Sequence, residues 1–561
     1  MRRRGDWLLV AVLAIGLVLR LTGLRWGLSS AQHYHPYHPD EVLQAMATTA
    51  VDPLRGDFDP GSYNYGSLSF FIVRLAFEAG EMLAPIQTPV HPTPEDLLWR
   101  VLRRIELLGR LLSALLGTAT LLLVYGIARR LAGRTAGLSA AVLLAITPMH
   151  VAHAHYFTVD VPATFWSTAA LWASLRLLDA PRARTAALSG ALAGLAAATK
   201  YNMALVLLAP LTALLWHALA GSRAARRSVP AEKLEPVTWR QLCRQVFLPG
   251  LACAGAAAAA FLAGCPGVLL NTPAFLRDFF YEVQHVRTEH GILFWDTPPA
   301  WIYHVVSSLR FGLGVPLLLL AGAGVVAAAL RRRPVDLILA AWALPYYLLI
   351  GVAQVKFQRY TLPLVPLLAV WAGVLGAAWL AGTGWSRRRT LAAVGAVALV
   401  SWTAGATVAY DLLFVLPDPR DRAAQWIHAH VPPGATLAMA SPPWFQHPPL
   451  QPWNGGTKTA AAFQGQRERW PYVFQAGGWT AQRLREEPPD CFVLSDLEIR
   501  DHLRLNRPET LPMRQLVAAL DAGYDRFEFA PSSSWPGLFG PGYPPEDWLY
   551  PAPTLYVYLA K

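Results

Sequence analysis

Long apolar runs alternate along this chain with short clusters of arginine. At a rise of 1.5 Å per residue such runs match a hydrocarbon layer of ~30 Å. They predict membrane spans near 7–24, 106–128, 136–151, 160–178, 186–199, 202–219, 246–268, 305–330, 335–353, 359–381 and 390–412. Basic clusters tend to stay in the cytoplasm. With about eleven spans, every cluster falls on that side: Arg2 to Arg4, Arg129/Arg130/Arg134, Arg182/Arg184, Arg223/Arg226/Arg227 with Arg240/Arg244, Arg331 to Arg333, and Arg387 to Arg389. Segment 186–219 decides the parity. As one helix it would run to ~50 Å, too long for a bilayer, and would invert every later cluster. Two short helices meeting near Lys200-Tyr201-Asn202 at the outer surface satisfy both constraints.

The intervening segments differ in character. Residues 25–105 form the first external loop; Leu68 to Leu83 is too apolar for disorder and too interrupted by Arg74, Glu78 and Glu81 to span. It predicts interfacial helices, with Tyr63, Tyr65, Phe70 and Phe71 at headgroup depth. Phe275, Leu276, Phe279, Phe280, Val283 and Val286 recur at helical spacing and predict a second surface-lying helix in 269–304. After Leu416 the sequence turns Pro-rich, Trp-rich and polar. The expected division is a membrane domain, 1–416, and an extracytoplasmic α/β domain, 417–561. Helices are expected at 420–430 and 511–520, strands at 435–440, 491–494, 525–530 and 554–559.

Composition agrees with a multi-pass protein of the plasma (inner) membrane: 54% of residues are hydrophobic and only 15% charged. A soluble enzyme is excluded. The net charge of +12 is carried by arginines that orient helices, and no soluble segment interleaves basic and aromatic residues in a stripe, so nucleic acid is not an expected partner. Cys243, Cys253, Cys265 and Cys491 suggest no disulfide framework. Ser29-Ser30-Ala31 resembles a signal cleavage site, but the long apolar run and the flanking Arg20 and Arg25 favour an uncleaved first helix.

The unusual polar residues collect on the predicted outer face. His33-Tyr34-His35-Pro36-Tyr37-His38-Pro39-Asp40-Glu41 follows the first span. Taken alone, the acidic pair suits a helix start, where carboxylates meet the positive end of the dipole. His150, His153, His155 and Asp160 close a short loop in the same way. Lys200 stands between two apolar helices, where an ammonium is costly unless it snorkels or meets an anion. Lys356-Phe357-Gln358-Arg359-Tyr360 places cations outside, against the orientation rule. An anionic lipid headgroup or phosphodiester explains that departure most simply.

Carboxylates and isolated cations above an apolar bundle suit sugar transfer from a lipid-linked phosphate. The leaving phosphate is already stable as an anion and needs no proton donor, in contrast to glycoside hydrolysis. One carboxylate base and several cations then suffice. His38, His153, His155, Tyr63 and Tyr65 are candidates for contacts with sugar or acceptor hydroxyls.

These residues resemble the GT-C membrane glycosyltransferases, in the branch of dolichyl-phosphate-mannose protein mannosyltransferases and bacterial aminoarabinose transferases. The likeness rests on His38-Pro39-Asp40-Glu41, Gly109-Arg110 with Ser113, Asp160-Val161-Pro162, Ala198-Thr199-Lys200-Tyr201, and Arg359-Tyr360-Thr361-Leu362-Pro363 with Pro366. It implies an inverting transferase using a polyprenyl-phosphate sugar and a hydroxyl acceptor on protein, lipid or glycan. Asp40 would be the base, assisted by Glu41, with Asp160 at the second acidic position. Lys200, Lys356, Arg359 and Tyr360 would lie near the donor phosphate. The usual Pro-Pro-Leu after the acidic pair appears here as Tyr65-Gly66-Ser67-Leu68, and the tail lacks a β-trefoil.

No metal is required by this chemistry. The alternative is a divalent ion held by histidines such as His35, His38 and His155, which would suit zinc or manganese. A transporter is a further alternative, disfavoured because the ionisable groups gather at one surface and no repeat is visible.

Overall fold

The computed structural model describes residues 6–31, 35–87, 94–228, 240, 243–288, 290–381, 387–450, 471–533 and 542–561. His33 and the basic residues 2–4 lie outside the described residues, as do the side chains of Arg223, Arg226, Arg227 and Arg388.

The chain is a helical membrane bundle with a small sheet at its C-terminal end. Helix α1 (Asp6–Leu21) leads into a long loop, which holds α2 (Pro39–Ala50) and α3 (Leu68–Leu83). Then follow α4 (Pro94–Ala145), α5 (Pro148–His153), α6 (Asp160–Leu175), α7 (Ala183–Thr199) and α8 (Leu208–Ser228). Among the described residues six helices are long and apolar enough to cross a membrane, and two shorter apolar ones cover 7–21 and 315–331. Six is therefore the number that length and composition support. The expected eleven also counts short helices such as α6 and α7, of 16 and 17 residues.

Two breaks shape the bundle. Within α4, Gly133 has a φ of 83°, a left-handed conformation open to glycine, and it separates the two apolar runs expected at 106–128 and 136–151. At Lys200 the backbone becomes extended (φ −149°, ψ 118°), ends α7 and passes through the 3₁₀ turn Tyr201–Leu207 into α8. Helix α8 returns beside residues 176–178, near the start of α7, so the two form the hairpin that parity required. Helix α7 is rich in small residues and packs most closely on the helix Leu248–Gly264. A Cβ at Gly190 or Gly194 would collide with the carbonyls of Cys253 and Ala257, so this GxxxG face lets helix Leu248–Gly264 approach backbone to backbone.

The tail folds as a five-stranded sheet in the order β2-β1-β3-β5-β4, from β1 (Thr436–Met439), β2 (Val473–Ala476), β3 (Cys491–Ser495), β4 (Tyr524–Phe529) and β5 (Leu555–Ala560). Strand β1 pairs in parallel with β2 and β3, whereas β5 runs antiparallel to β3 and β4. Alternate residues face opposite sides. Leu437, Met439, Cys491, Val493 and Val557 pack with Ala423 and Ile427 of helix Pro419–His430; Ala438, Phe492, Leu494 and Tyr558 pack with Leu516 and Leu520 of helix Leu511–Gly523. Both faces are covered, which explains why every residue of β3 is buried. Strand β2 and helices Ala481–Glu486 and Asp496–Arg504 were not expected from the sequence; each is short and partly polar.

Candidate active site

Proline at the first position of α2 fixes the entry of the helix, and His38 caps it, its Nδ1 accepting the Asp40 N–H at 3.3 Å. Successive helical residues point about 100° apart. The adjacent acids therefore meet different partners. Glu41 turns inward, where its carboxylate accepts from Arg110 Nε at 2.8 Å, Arg110 Nη2 at 2.6 Å and the Phe157 N–H at 2.6 Å. Asp40 faces Arg359, whose Nη2 lies 3.1 Å from Oδ2.

A second pair stands beside the first. Asp160 opens α6, and its Oδ1 accepts from Lys200 Nζ at 2.7 Å. The break after α7 frees Lys200 to reach across, with Nζ 5.1 Å from the centre of the Tyr360 ring. Arg359 is the second residue of the 3₁₀ segment Gln358–Leu364 and lies over Phe357, its Cζ 4.0 Å from the ring centre. Asp40, Asp160, Lys200 and Arg359 thus meet at one end of the bundle.

Burial pushes the Asp40 carboxyl above the ordinary aspartate range; Arg359 opposes the shift, and Asp160 and Asp547 reinforce it. His153, next to Asp160, is pulled down to about 4 mainly by burial, which keeps its imidazole neutral near pH 7. The Tyr65 hydroxyl is held above its ordinary value, first by burial and then by Asp40. Its loop is fixed from behind. Tyr201 Oη donates to the carbonyls of Tyr63 and Tyr65 at 3.0 and 2.8 Å, and a Cβ on Gly66 would strike the Ala198 carbonyl.

Other expected site residues lie elsewhere or do other work. Lys356 Nζ donates to Thr297 Oγ1 at 2.8 Å and Pro298 O at 3.0 Å, in a cavity of about 280 Å³ shared with Trp295 and Arg507. It is not part of the carboxylate cluster. His155 bonds to Val151 O and Thr22 O at 2.9 and 2.7 Å and stacks on Phe414. His35 packs against Trp444, while His38 packs against Tyr156 and Tyr550. The suggested metal set of His35, His38 and His155 therefore does not assemble, and no group of three or more His, Cys, Asp or Glu side chains suited to a metal occurs among the described residues. Tyr63 is buried, its N–H on Asp278 Oδ2 at 2.8 Å.

Three participants were missed. Asp547 of the tail accepts the Gln358 and Arg359 N–H groups at 3.0 and 3.1 Å. Glu282, on helix Thr272–His285, accepts from Asn64 Nδ2 at 2.8 Å; burial raises its carboxyl, with Lys200 opposing. Arg110 was noted only as part of a motif. The acidic pair Glu546-Asp547 in an aromatic tail gives no sequence signal of a partner nearly two hundred residues upstream.

Residues 88–231 match the family model described as dolichyl-phosphate-mannose-protein mannosyltransferase. No curated protein matched the chain. Among solved structures, the oligosaccharyltransferase of Archaeoglobus fulgidus in the apo form aligns over 95% of this chain and 74% of its own, at 13% identity and a TM-score of 0.50. ArnT from Cupriavidus metallidurans bound to undecaprenyl phosphate aligns over 99% and 98%, at 16% identity and a TM-score of 0.46. At 13% identity, what is shared with the Archaeoglobus fulgidus structure is the fold. The chain resembles the GT-C glycosyltransferases in architecture. The segment carrying Arg110, Asp160 and Lys200 is similar to the dolichyl-phosphate-mannose-protein mannosyltransferase family.

Proposed function

We propose that this chain is an inverting glycosyltransferase that moves a sugar from a polyprenyl-phosphate donor to a hydroxyl acceptor at the extracytoplasmic face. The convergence of Asp40 and Asp160 with Arg359 and Lys200 carries the reading. Asp40 takes the acceptor proton as the acceptor oxygen attacks the anomeric carbon. The bond from that carbon to the phosphate oxygen breaks on the opposite side, and its electron pair leaves with the phosphate. Lys200 and Arg359 stabilise the charge that grows there. Lys356 belongs to the neighbouring cavity on this reading, and Glu41 positions Arg110 and the Phe157 backbone rather than touching substrate.

The family match over 88–231 supports a lipid-linked mannosyl-type donor, and the arginine clusters support the orientation. The bundle within 1–416 carries the chemistry, and 417–561 packs on its outer end. Membranes containing the protein, incubated with radiolabelled polyprenyl-phosphate sugars, test the proposal. Label should move to an acceptor; label that crosses the membrane still on its lipid would indicate transport and overturn it.

A further inference from the structure

Asp547 belongs to the tail, yet its carboxylate is buried against the bundle. It bonds the first two amides of Gln358–Leu364, which have no preceding helical carbonyl and no side-chain cap of their own. Its Oδ2 also stands 3.6 Å from Arg359 Nη1, while Nη2 of the same guanidinium faces Asp40. One arginine is thus shared by two carboxylates from opposite ends of the sequence.

The short helix bearing Asp547, Glu546–Leu549, is strapped in place. Tyr410 Oη donates to Trp548 O at 2.9 Å, and the two rings stack at 4.1 Å. Arg420 Nη2 donates to Tyr550 O at 3.2 Å, and the Tyr550 ring packs edge-on against His38, two residues before Asp40. Such bracing exceeds what a tethered accessory domain requires.

Building on the transferase reading above, we propose that the C-terminal domain is a working part of the active site, in which Asp547 positions Arg359 and divides its charge between two carboxylates. Asp40 is then not locked in an exclusive ion pair and stays available as the base. The charged groups facing Asp40 are Arg359 and Lys200 as cations and Asp160, Asp547 and Glu282 as acids, with Tyr65, Tyr360, Tyr550 and neutral His153 around them. Loss of the Asp547 charge leaves Arg359 to Asp40 alone, and the base becomes weaker.

Full-length wild type, Asp547→Asn, Asp547→Glu and Tyr410→Phe are assayed with a panel of tritiated undecaprenyl-phosphate hexoses and pentoses, after size-exclusion chromatography has shown each to be folded. Asp547→Asn should lose at least ~10-fold in kcat/KM, in line with loss of an interaction that supports a catalytic base, and its acid limb should move to lower pH. Asp547→Glu should restore much of the rate. Should Asp547→Asn fail to fold, Tyr410→Phe, which removes the hydrogen bonds of Tyr410 with Trp548 O and with Tyr156 and so loosens the strap, must show the same displacement. An unmoved acid limb, with or without a loss of rate, overturns the proposal. A wild type that transfers no sugar sinks the transferase reading itself, and this inference with it.

Discussion

Lys200 Nζ stands 2.7 Å from Asp160 Oδ1, joining the break between α7 and α8 to the first residue of α6. The pair meets Asp40 and Arg359 at the same end of the bundle, with Tyr360 beside the ammonium. Removing either cation should weaken donor use more than acceptor use. Lys200→Ala and Arg359→Ala are each expected to lower kcat/KM for the donor by ~10²-fold or more, the scale of a lost oxyanion donor. Steady-state kinetics with each substrate varied in turn check this, and a larger effect on acceptor KM would place both residues at the wrong substrate.

Asp40→Asn keeps the size of the side chain and removes the base. Transfer should fall by ~10²- to 10⁴-fold while expression and detergent elution stay normal. An active Asp40→Asn protein would assign proton removal to another group.

Glu41 behaves oppositely in the same tests. Its side chain and that of Arg110 are fully buried, so Glu41→Gln leaves a guanidinium without its counter-charge. Breaking such a pair from one side costs about 3–5 kcal/mol. Thermal unfolding in detergent should show the loss, whereas the protein that remains folded should keep most of its kcat.

The rate should fall in acid at an unusually high pH for an aspartate. Burial raises Asp40 above its ordinary value of 3.8 and the base must be ionised, so kcat/KM declines as pH drops through the raised value. The stability effect has the other sign. The folded state holds this proton more tightly than the unfolded chain, so the contribution is greatest in acid and is lost as pH rises from 3.8 through the folded value. A pH series of rate and of unfolding temperature checks both, and Asp40→Asn should flatten the second.

Chelation should leave transfer unchanged. Asp40 and Asp160 already have cationic partners supplied by the protein, and a metal would have to displace Arg359 or Lys200. Dialysis against EDTA followed by the transfer assay tests this, and activity restored only by added zinc or manganese would refute it.

Much of the architecture was legible in the sequence because the bilayer imposes strong, local rules. Apolar length marks helices, and the short runs around Lys200 required a break whose backbone geometry is now explicit. Two of the tail's helices, Pro419–His430 and Leu511–Gly523, and four of its five strands were expected from the sequence. Strand β2 and the Asp496–Arg504 helix carried too few apolar positions to be recognised.

The sequence by itself determined which residues are costly in their setting: Asp40, Asp160, Lys200 and Arg359 stand out because charge beside a hydrocarbon layer needs a counter-charge. Only the tertiary structure decided the partners. Helical rotation sent Glu41 to Arg110 and Asp40 to Arg359, though the acids are adjacent, and packing of the tail brought Asp547 onto the Arg359 backbone. Pairing energy falls steeply with distance, and distances between residues far apart in the chain are set by packing, which sequence spacing does not encode.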